Sequence, residues 1–587
     1  MVSARSSNLL LHGISASPGI AIGRARVTDR ARIAVSEAAI RPDEVAAETK
    51  RFLDAVEKAR EDLQLLKEQL ELEKGAEHLY ILDTHLMILE DPMLTSQTVS
   101  CIESQLMNAE GSLKKTLVKF REFFNAIDNE YLRERGGDVE IVGERILRRM
   151  IGIQQEPLVE LTGKVVVIAH DLSPADVLQI DKNRIIGFAT DLGGKTSHAS
   201  ILARALGIPA VVGLEAVTTS ILSGDHIIID GSTGTVVINP DDQTFREYLS
   251  RKLQYEYCNR ELAKLRDLPA ETVDGHPISL KGNLEFAEEI PALKEHGGEG
   301  VGLYRTEMLF MNRTDLPDEE EQFNAYLKMI LEVAPFPVSI RTLDVGGDKF
   351  VPELNLADEL NPALGLRAIR LSLRNPETFR PQLRAILRAS AFGKARIFFP
   401  MISVIAEIRE AKRIINEIKS ELSSQGIAYD DKIKIGIMIE VPSAVLIADL
   451  LAQEVDFFSI GTNDLIQYSL AIDRTNEHLS HLYQPLNPAI LRSLKMVADA
   501  AHAAGIDACI CGEMAGDPDY LPILLGLGFD ELSMSPPSIP RVKNILRRFS
   551  RAEAVTLTEK VLAADTAEAV ELILKSGIAA HFSDCSE

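Results

Sequence analysis

The sequence predicts a multidomain α/β protein: an α/β domain interrupted by a helical bundle, followed by a (β/α)8 barrel of the TIM type. Three observations predict it. At 587 residues the chain is too long for one hydrophobic core and is of a length for about three or four domains. A stretch from Pro42 to about Gln154 carries Glu, Lys, Leu and Ala at helical spacing, with hardly any Gly or Pro, between flanks of strand-like sequence. From Val273 onward, eight strand-like segments alternate with helical stretches over roughly the length of a barrel.

Taken in order, Gly13 to about Arg32 alternates small and β-branched residues around turn formers, and reads as strand and turn. Alone it is too short to bury a core, so residues 1–33 are assigned to one α/β domain with 155–240, and residues 34–154 become a helical insertion. Within the insertion, Glu44 to Glu73 and Glu110 to Tyr131 hold the helical period. The segment Thr84-His85-Leu86-Met87-Ile88-Leu89-Glu90-Asp91-Pro92-Met93 breaks it, as an apolar patch ending in acids that reads either as core or as a docking face. Strand pattern resumes at Lys164–Ala169 and runs through Ile185–Ala189 to Val236–Ile238, with a turn at Asp230–Thr235. Residues 241–268 are charged, helical in period and closed by Pro269, which suits a connecting helix between two bodies. Residues 269–587 remain for the barrel, with strands expected at Ile278–Leu284, Val301–Tyr304, Val338–Leu343, Ala395–Pro400, Ile433–Ile439, Val455–Ile460, Ala508–Cys511 and Glu531–Met534.

Composition narrows the function classes. A formal net charge of -24 argues against a nucleic-acid or anionic-membrane surface and suits a basic protein partner. No apolar run is long enough to span a bilayer, and Met1–Ser7 leads into a glycine-bearing strand rather than a secretory signal, so a cytoplasmic location is expected. Five scattered cysteines suit reduced thiols, and no CxxC or HExxH pattern suggests zinc.

Candidate chemistry gathers at two places. Gly193-Gly194-Lys195-Thr196-Ser197-His198 runs into a short helix that Gly207 and Pro209 end. His198 thus sits in a first helical turn, where unpaired N–H groups and the helix dipole stabilise an anion such as a phosphoryl group on the imidazole. A capping or packed histidine would occupy the same place, so this stretch alone leaves both roles open. The second place is the C-terminal ends of the barrel strands, where a TIM barrel carries its active site. Glu440 and Asp464 follow neighbouring strands and are hard oxygen ligands of the kind Mg²⁺ takes. Arg305, Arg341, Arg367 and Arg474 offer planar forks for phosphate and carboxylate, Asp344–Lys349 adds backbone N–H groups and the Lys349 cation, and Asn463 precedes Asp464. Such a mouth suits a small dianion bearing both a carboxylate and a phosphate. Cys511, at a strand end beside Gly512, is placed to exchange a proton with carbon or to attack as a thiolate.

Over essentially its entire length the chain resembles enzyme I of the bacterial sugar phosphotransferase system, the phosphoenolpyruvate-protein phosphotransferases. The motifs are long and in family order: GGKTSHASILARALGIPAVVG, GVGLYRTEMLFM, RTLDVGGDK, MIEVPSA, FFSIGTNDLIQYSLAIDR and CGEMAGD. The resemblance implies that residues 1–33 and 155–240 form a swivelling phosphohistidine domain, that 34–154 bind the small carrier protein HPr, and that 269–587 bind phosphoenolpyruvate and form a homodimer. It implies that His198 takes the phosphoryl group and passes it to HPr, that Glu440 and Asp464 hold Mg²⁺, that Arg305, Arg341, Arg474 and Asn463 grip the substrate, and that Cys511 protonates the enolate. Two positions depart from the family, which often has glycine where this chain has Thr475 and Cys509. Two other readings compete. A dikinase would need a nucleotide-binding domain before His198, and Gly297–Gly302 lacks the GxGxxG spacing. A regulatory paralogue or inactive scaffold is the other, and an inactive one should have lost a motif residue.

Overall fold

The computed structural model describes residues 8–28, 37–74, 80–126, 130–152, 164–172, 184–194, 200, 203, 207–310, 316–346, 361–473, 479, 482–578 and 581. The chain divides into two compact units, Met1–Glu256 and Tyr257–Glu587, and the division falls inside the helix Asp242–Ala263.

Among the described residues of the first unit, eight strands make one mixed sheet. They are β1 (Leu9–His12), β2 (Ile14–Ser17), β3 (Ile20–Val27), β4 (Val165–Ala169), β5 (Ile185–Thr190), β6 (Ala210–Val212), β7 (His226–Asp230) and β8 (Thr235–Ile238), in the order β1-β8-β7-β3-β4-β5-β6-β2. The early strands therefore share a sheet with the later ones. β3 and β4 pair in parallel, Val27 opposite Ile168, and a parallel pair needs a long crossover. Here the helical insertion is that crossover. Alternate residues along β4 fall into two clusters, Val166 and Ile168 in one and Val167 and Ala169 in the other, so the strand is buried on both faces.

The insertion comprises α1 (Val45–Lys74), α2 (Tyr80–Glu90), α3 (Pro92–Gln105), α4 (Ala109–Ala126) and α5 (Glu130–Ile151). Phe52, Val56, Ala59 and Leu63 recur at helical spacing on α1 and pack with Leu94, Ile102, Leu113, Val142 and Ile146. The apolar segment at Thr84–Met93 proves to be a junction of two helices: Asp91 accepts from the Met93 N–H at 2.7 Å, and Pro92 opens α3. Its residues divide. His85 and Leu89 are buried, whereas Met87 and Met93 are 51% and 53% exposed.

The second unit is a closed barrel of eight parallel strands: β9 (Ser279–Leu284), β10 (Val301–Tyr304), β11 (Val338–Arg341), β12 (Ala395–Phe399), β13 (Lys434–Ile439), β14 (Phe457–Ile460), β15 (Asp507–Ile510) and β16 (Glu531–Met534), with β16 closing on β9. Three strands end earlier than the sequence pattern predicts. Leu343 lies beyond β11 because its N–H donates to the Gln382 side chain at 3.0 Å, and Pro400 and Cys511 fall just past β12 and β15. Inside the barrel, Leu303, Phe398, Met438, Phe457, Cys509 and Cys511 form a cluster. Nearby, a buried Lys281–Glu531 ion pair is joined by Arg396 at 3.2 Å. The outer helices pack on the barrel through the largest apolar core among the described residues.

The expectation of reduced thiols holds for Cys101, Cys509 and Cys511, which are free. It fails at Cys258, which is disulfide-bonded. Bonding depends on two Cβ atoms meeting in space, which spacing along the chain does not reveal.

Candidate active site

The strand ends bring charged and polar groups to the C-terminal mouth of the barrel. Arg341 is the last residue of β11 and is buried. Its Nη2 donates to Glu307 Oε1 at 2.6 Å and its Nη1 lies 2.9 Å from Asp344 Oδ2. Burial opposes its charge, but Glu307 and Asp344 outweigh burial and hold the guanidinium more firmly protonated than usual. Arg367, also buried, reaches Asp344 Oδ1 at 2.9 Å, Asp464 Oδ2 at 3.3 Å and the Tyr468 hydroxyl at 3.0 Å. Asp344 thus bridges the two arginines. Arg305, just after β10, pairs with Glu285 at 2.6 Å and keeps a side chain 40% exposed.

Of the two carboxylates expected to hold a metal, Asp464 joins this network through Arg367 and Glu440 lies near enough to feel its charges. Glu440 follows β13 and accepts from the Met401 N–H at 2.6 Å, and Asp464 stands in the first turn of the helix Thr462–Leu470, which follows β14. Burial first, and then the nearby Asp464 and Asp344, push the Glu440 carboxyl up to about 8. A carboxyl so burdened by neighbouring negative charge fits a site for a cation. Among the described residues no group of three or more His, Cys, Asp or Glu side chains gathers as a metal cage. A pair of carboxylates is nonetheless what Mg²⁺ commonly takes from protein, because it keeps several waters and shares substrate oxygens.

Asn463 is held by a two-way link, its Nδ2 donating to Glu513 Oε1 at 3.2 Å and its Oδ1 accepting from the Glu513 N–H at 3.1 Å. Cys511 is buried in the barrel interior, and burial pushes its thiol up to about 11. Among the described residues, the Nε–H groups of Arg341 and Arg367 and the hydroxyls of Thr342 and Thr462 are buried with no hydrogen-bond partner. Buried donors are rarely left so, and a bound anion would satisfy them.

His198, Lys349 and Arg474 lie outside the described residues. The approach to His198 is described as far as Gly194. Asp191 accepts from the Thr218 N–H at 3.1 Å and from the Thr218 hydroxyl, and it lies 3.0 Å from His170 Nδ1. The Leu192 carbonyl accepts from Thr190 Oγ1 at 2.6 Å, and Gly193 adopts φ +112°. That conformation is open to glycine and costly for other residues.

Sequence reasoning brought Arg305, Arg341, Arg367, Asn463, Glu440, Asp464 and Cys511 to this mouth, named Asp344 only as part of a loop offering N–H groups, and overlooked Glu307, Glu285 and Tyr468. Glu307 and Asp344 carried a signal, standing two residues after Arg305 and three after Arg341 within the motifs already singled out. Tyr468 also stands in a quoted motif, four residues after Asp464, but its role depends on where its helix meets Arg367.

The family models that match are those of the PEP-utilising enzymes: the N-terminal domain over residues 12–135, the mobile domain over 161–234 and the PEP-binding domain over 259–551. A phosphoenolpyruvate-protein phosphotransferase of Staphylococcus carnosus is 43% identical over 560 residues, covering 95% of this chain and 97% of its own. One from Bacillus subtilis is 44% identical over 565 residues, covering 96% and 99%. Among solved structures, an NMR structure of Enzyme I (nEIt) matches 42% of this chain and 99% of its own at 39% identity, with a TM-score of 0.37.

Proposed function

Because the chain belongs to the phosphoenolpyruvate-protein phosphotransferase family and is therefore a phosphoryl-transferring enzyme that uses phosphoenolpyruvate, we propose that its acceptor is His198 and its onward partner the histidine of HPr. In this reading it performs the first step of phosphotransferase-system sugar uptake, as a Mg²⁺-dependent cytoplasmic homodimer. The observation that carries it is the set of buried, unpartnered donors on Arg341, Arg367 and Thr462, in the same mouth as Glu440, Asp464 and Cys511. These groups match a ligand that carries phosphate and carboxylate together.

The residues divide the work by chemistry. Arg305, Arg341 and Arg474, with Lys349, neutralise the phosphate and carboxylate oxygens, and Arg367 ties Asp344 to Asp464 beside them. Asn463 orients the substrate from the turn it shares with Glu513. Glu440 and Asp464 would hold Mg²⁺, which when bound supplies Lewis-acid stabilisation of charge on the phosphate and enolate oxygens. A His198 ring nitrogen forms the new N–P bond as the bridging P–O bond breaks, leaving its electron pair on the enolate oxygen. The Cys511 S–H then gives its proton to the enolate methylene carbon, and pyruvate leaves. Phosphohistidine finally passes its phosphoryl group to HPr, whose recognition is assigned to the helical insertion through faces such as that of Met87 and Met93.

Labelled phosphoenolpyruvate with Mg²⁺ tests the assignment. Acid-labile, base-stable label should appear on the protein and then on added HPr, and His198→Ala should abolish both while retaining the fold. Histidine-type label on the variant would refute His198 as acceptor.

A further inference from the structure

The Cys511 sulfur has a partner that the proposed chemistry has not used. Ser459 lies on β14, is 1% exposed, and donates its hydroxyl to Cys511 Sγ at 3.2 Å. The backbone around the thiol is clamped as well. The Cys511 N–H donates to the Ile460 carbonyl at 3.0 Å, and the Cys511 carbonyl accepts from Asn283 Nδ2 at 2.9 Å, while Ser533 donates to Asn283 Oδ1 at 2.6 Å. The thiol lies 3.5 Å from the Ile460 carbonyl oxygen. Sulfur is therefore held at a fixed place with one hydroxyl directed at it.

We propose that Ser459 is the positioning residue of the proton-transfer half-reaction, donating a hydrogen bond to the thiolate that remains on Cys511 after its proton has gone to carbon. The proposal rests on the reading of Cys511 as the acid. In the step, the enolate C=C pair forms the new C–H bond with the thiol proton and the C–O bond becomes the ketone carbonyl. The S–H bonding pair stays on sulfur, and water later returns a proton to it. A hydroxyl bonded to a neutral thiol contributes little; the same bond to a buried anion contributes far more. It would therefore act mainly after proton departure, when the sulfur faces the apolar walls of Leu303, Phe398 and Met438. Burial raises the thiol, and the Ser459 hydrogen bond is the largest influence in the other direction. Arg341 at the end of β11 and Arg305 beyond β10 also favour the thiolate, whereas Glu440 beyond β13 opposes it.

The experiment uses the full chain with Mg²⁺, phosphoenolpyruvate and HPr, comparing Ser459→Ala, Ser459→Thr and Cys511→Ala. Ser459→Ala should slow pyruvate formation about tenfold, leave KM for phosphoenolpyruvate within about twofold, and leave exchange between phospho-HPr and the enzyme unchanged. The pH profile for alkylation of Cys511 by iodoacetamide should move to higher pH, and Ser459→Thr should restore part of both effects. A merely structural role would raise KM or slow phospho-HPr exchange without moving the alkylation profile, and that result overturns the proposal. If Cys511→Ala is inactive while Ser459→Ala keeps the parent rate and profile, Ser459 has no such role. If Cys511→Ala itself forms pyruvate at the parent rate, Cys511 is not the acid and the proposal falls with its premise.

Discussion

At Glu440 the carboxyl is raised because burial and the charges of Asp464 and Asp344 all penalise ionisation. A cation binds the ionised form, so below about 8 it must displace a proton from this group. Mg²⁺ affinity should therefore rise with pH across the neutral range and level off above that value. Calorimetry in buffers of different ionisation enthalpy should show proton release at pH 7 that fades towards pH 9. Glu440→Gln removes the titrating group and should abolish the release while weakening the metal. A pH-independent affinity in the parent protein would place the metal elsewhere. The arginines behave in the opposite sense, since Arg341 and Arg367 gain more from their acidic partners than they lose to burial, and they stay charged throughout.

The elements at the mouth are joined by a contact that only glycine permits. A Cβ on Gly512, just past β15, would lie 1.7 Å from Thr462 Oγ1 and 2.8 Å from the Thr462 backbone nitrogen. Its φ of -79° is ordinary, so the constraint is space and not backbone conformation. Gly512→Ala should push away the start of the helix Thr462–Leu470, and with it Asn463 and Asp464. Overpacking of this kind costs about 1–3 kcal/mol. A lowered Tm together with weaker Mg²⁺ binding is expected, and Thr462→Ala in the same chain should recover part of each. Unchanged metal affinity in Gly512→Ala would show that the helix start does not set the ligand geometry.

For the whole molecule, the two compact units divide the proposed chemistry, with His198 and the helical insertion in Met1–Glu256 and the metal and substrate groups in Tyr257–Glu587. A fragment ending near Leu265 should fold alone and exchange phosphate with phospho-HPr, yet take no label from phosphoenolpyruvate. The fragment from about Pro269 onward should bind phosphoenolpyruvate with Mg²⁺ by calorimetry and have no His198 to phosphorylate. Label passing directly from phosphoenolpyruvate to the first fragment would break this division. The net charge of -24 adds a long-range attraction for a basic carrier, so association should slow as salt is raised.

What the sequence by itself determined was the alternation of strand and helix, the eight barrel strands, the helical insertion and the residues at the strand ends. These are legible because periodicity and turn chemistry are local, and because a TIM barrel places its strand ends at one face whatever the loops contain. Arg341, Glu440 and Cys511 could be picked out on that ground alone. Tertiary structure decided the rest. That Asp344 bridges two arginines, that Ser459 faces Cys511 and that Cys258 is disulfide-bonded each depend on groups meeting in space. Such meetings follow from barrel closure and helix packing, and residues 52 positions apart, as Ser459 and Cys511 are, carry no mark of it in the chain.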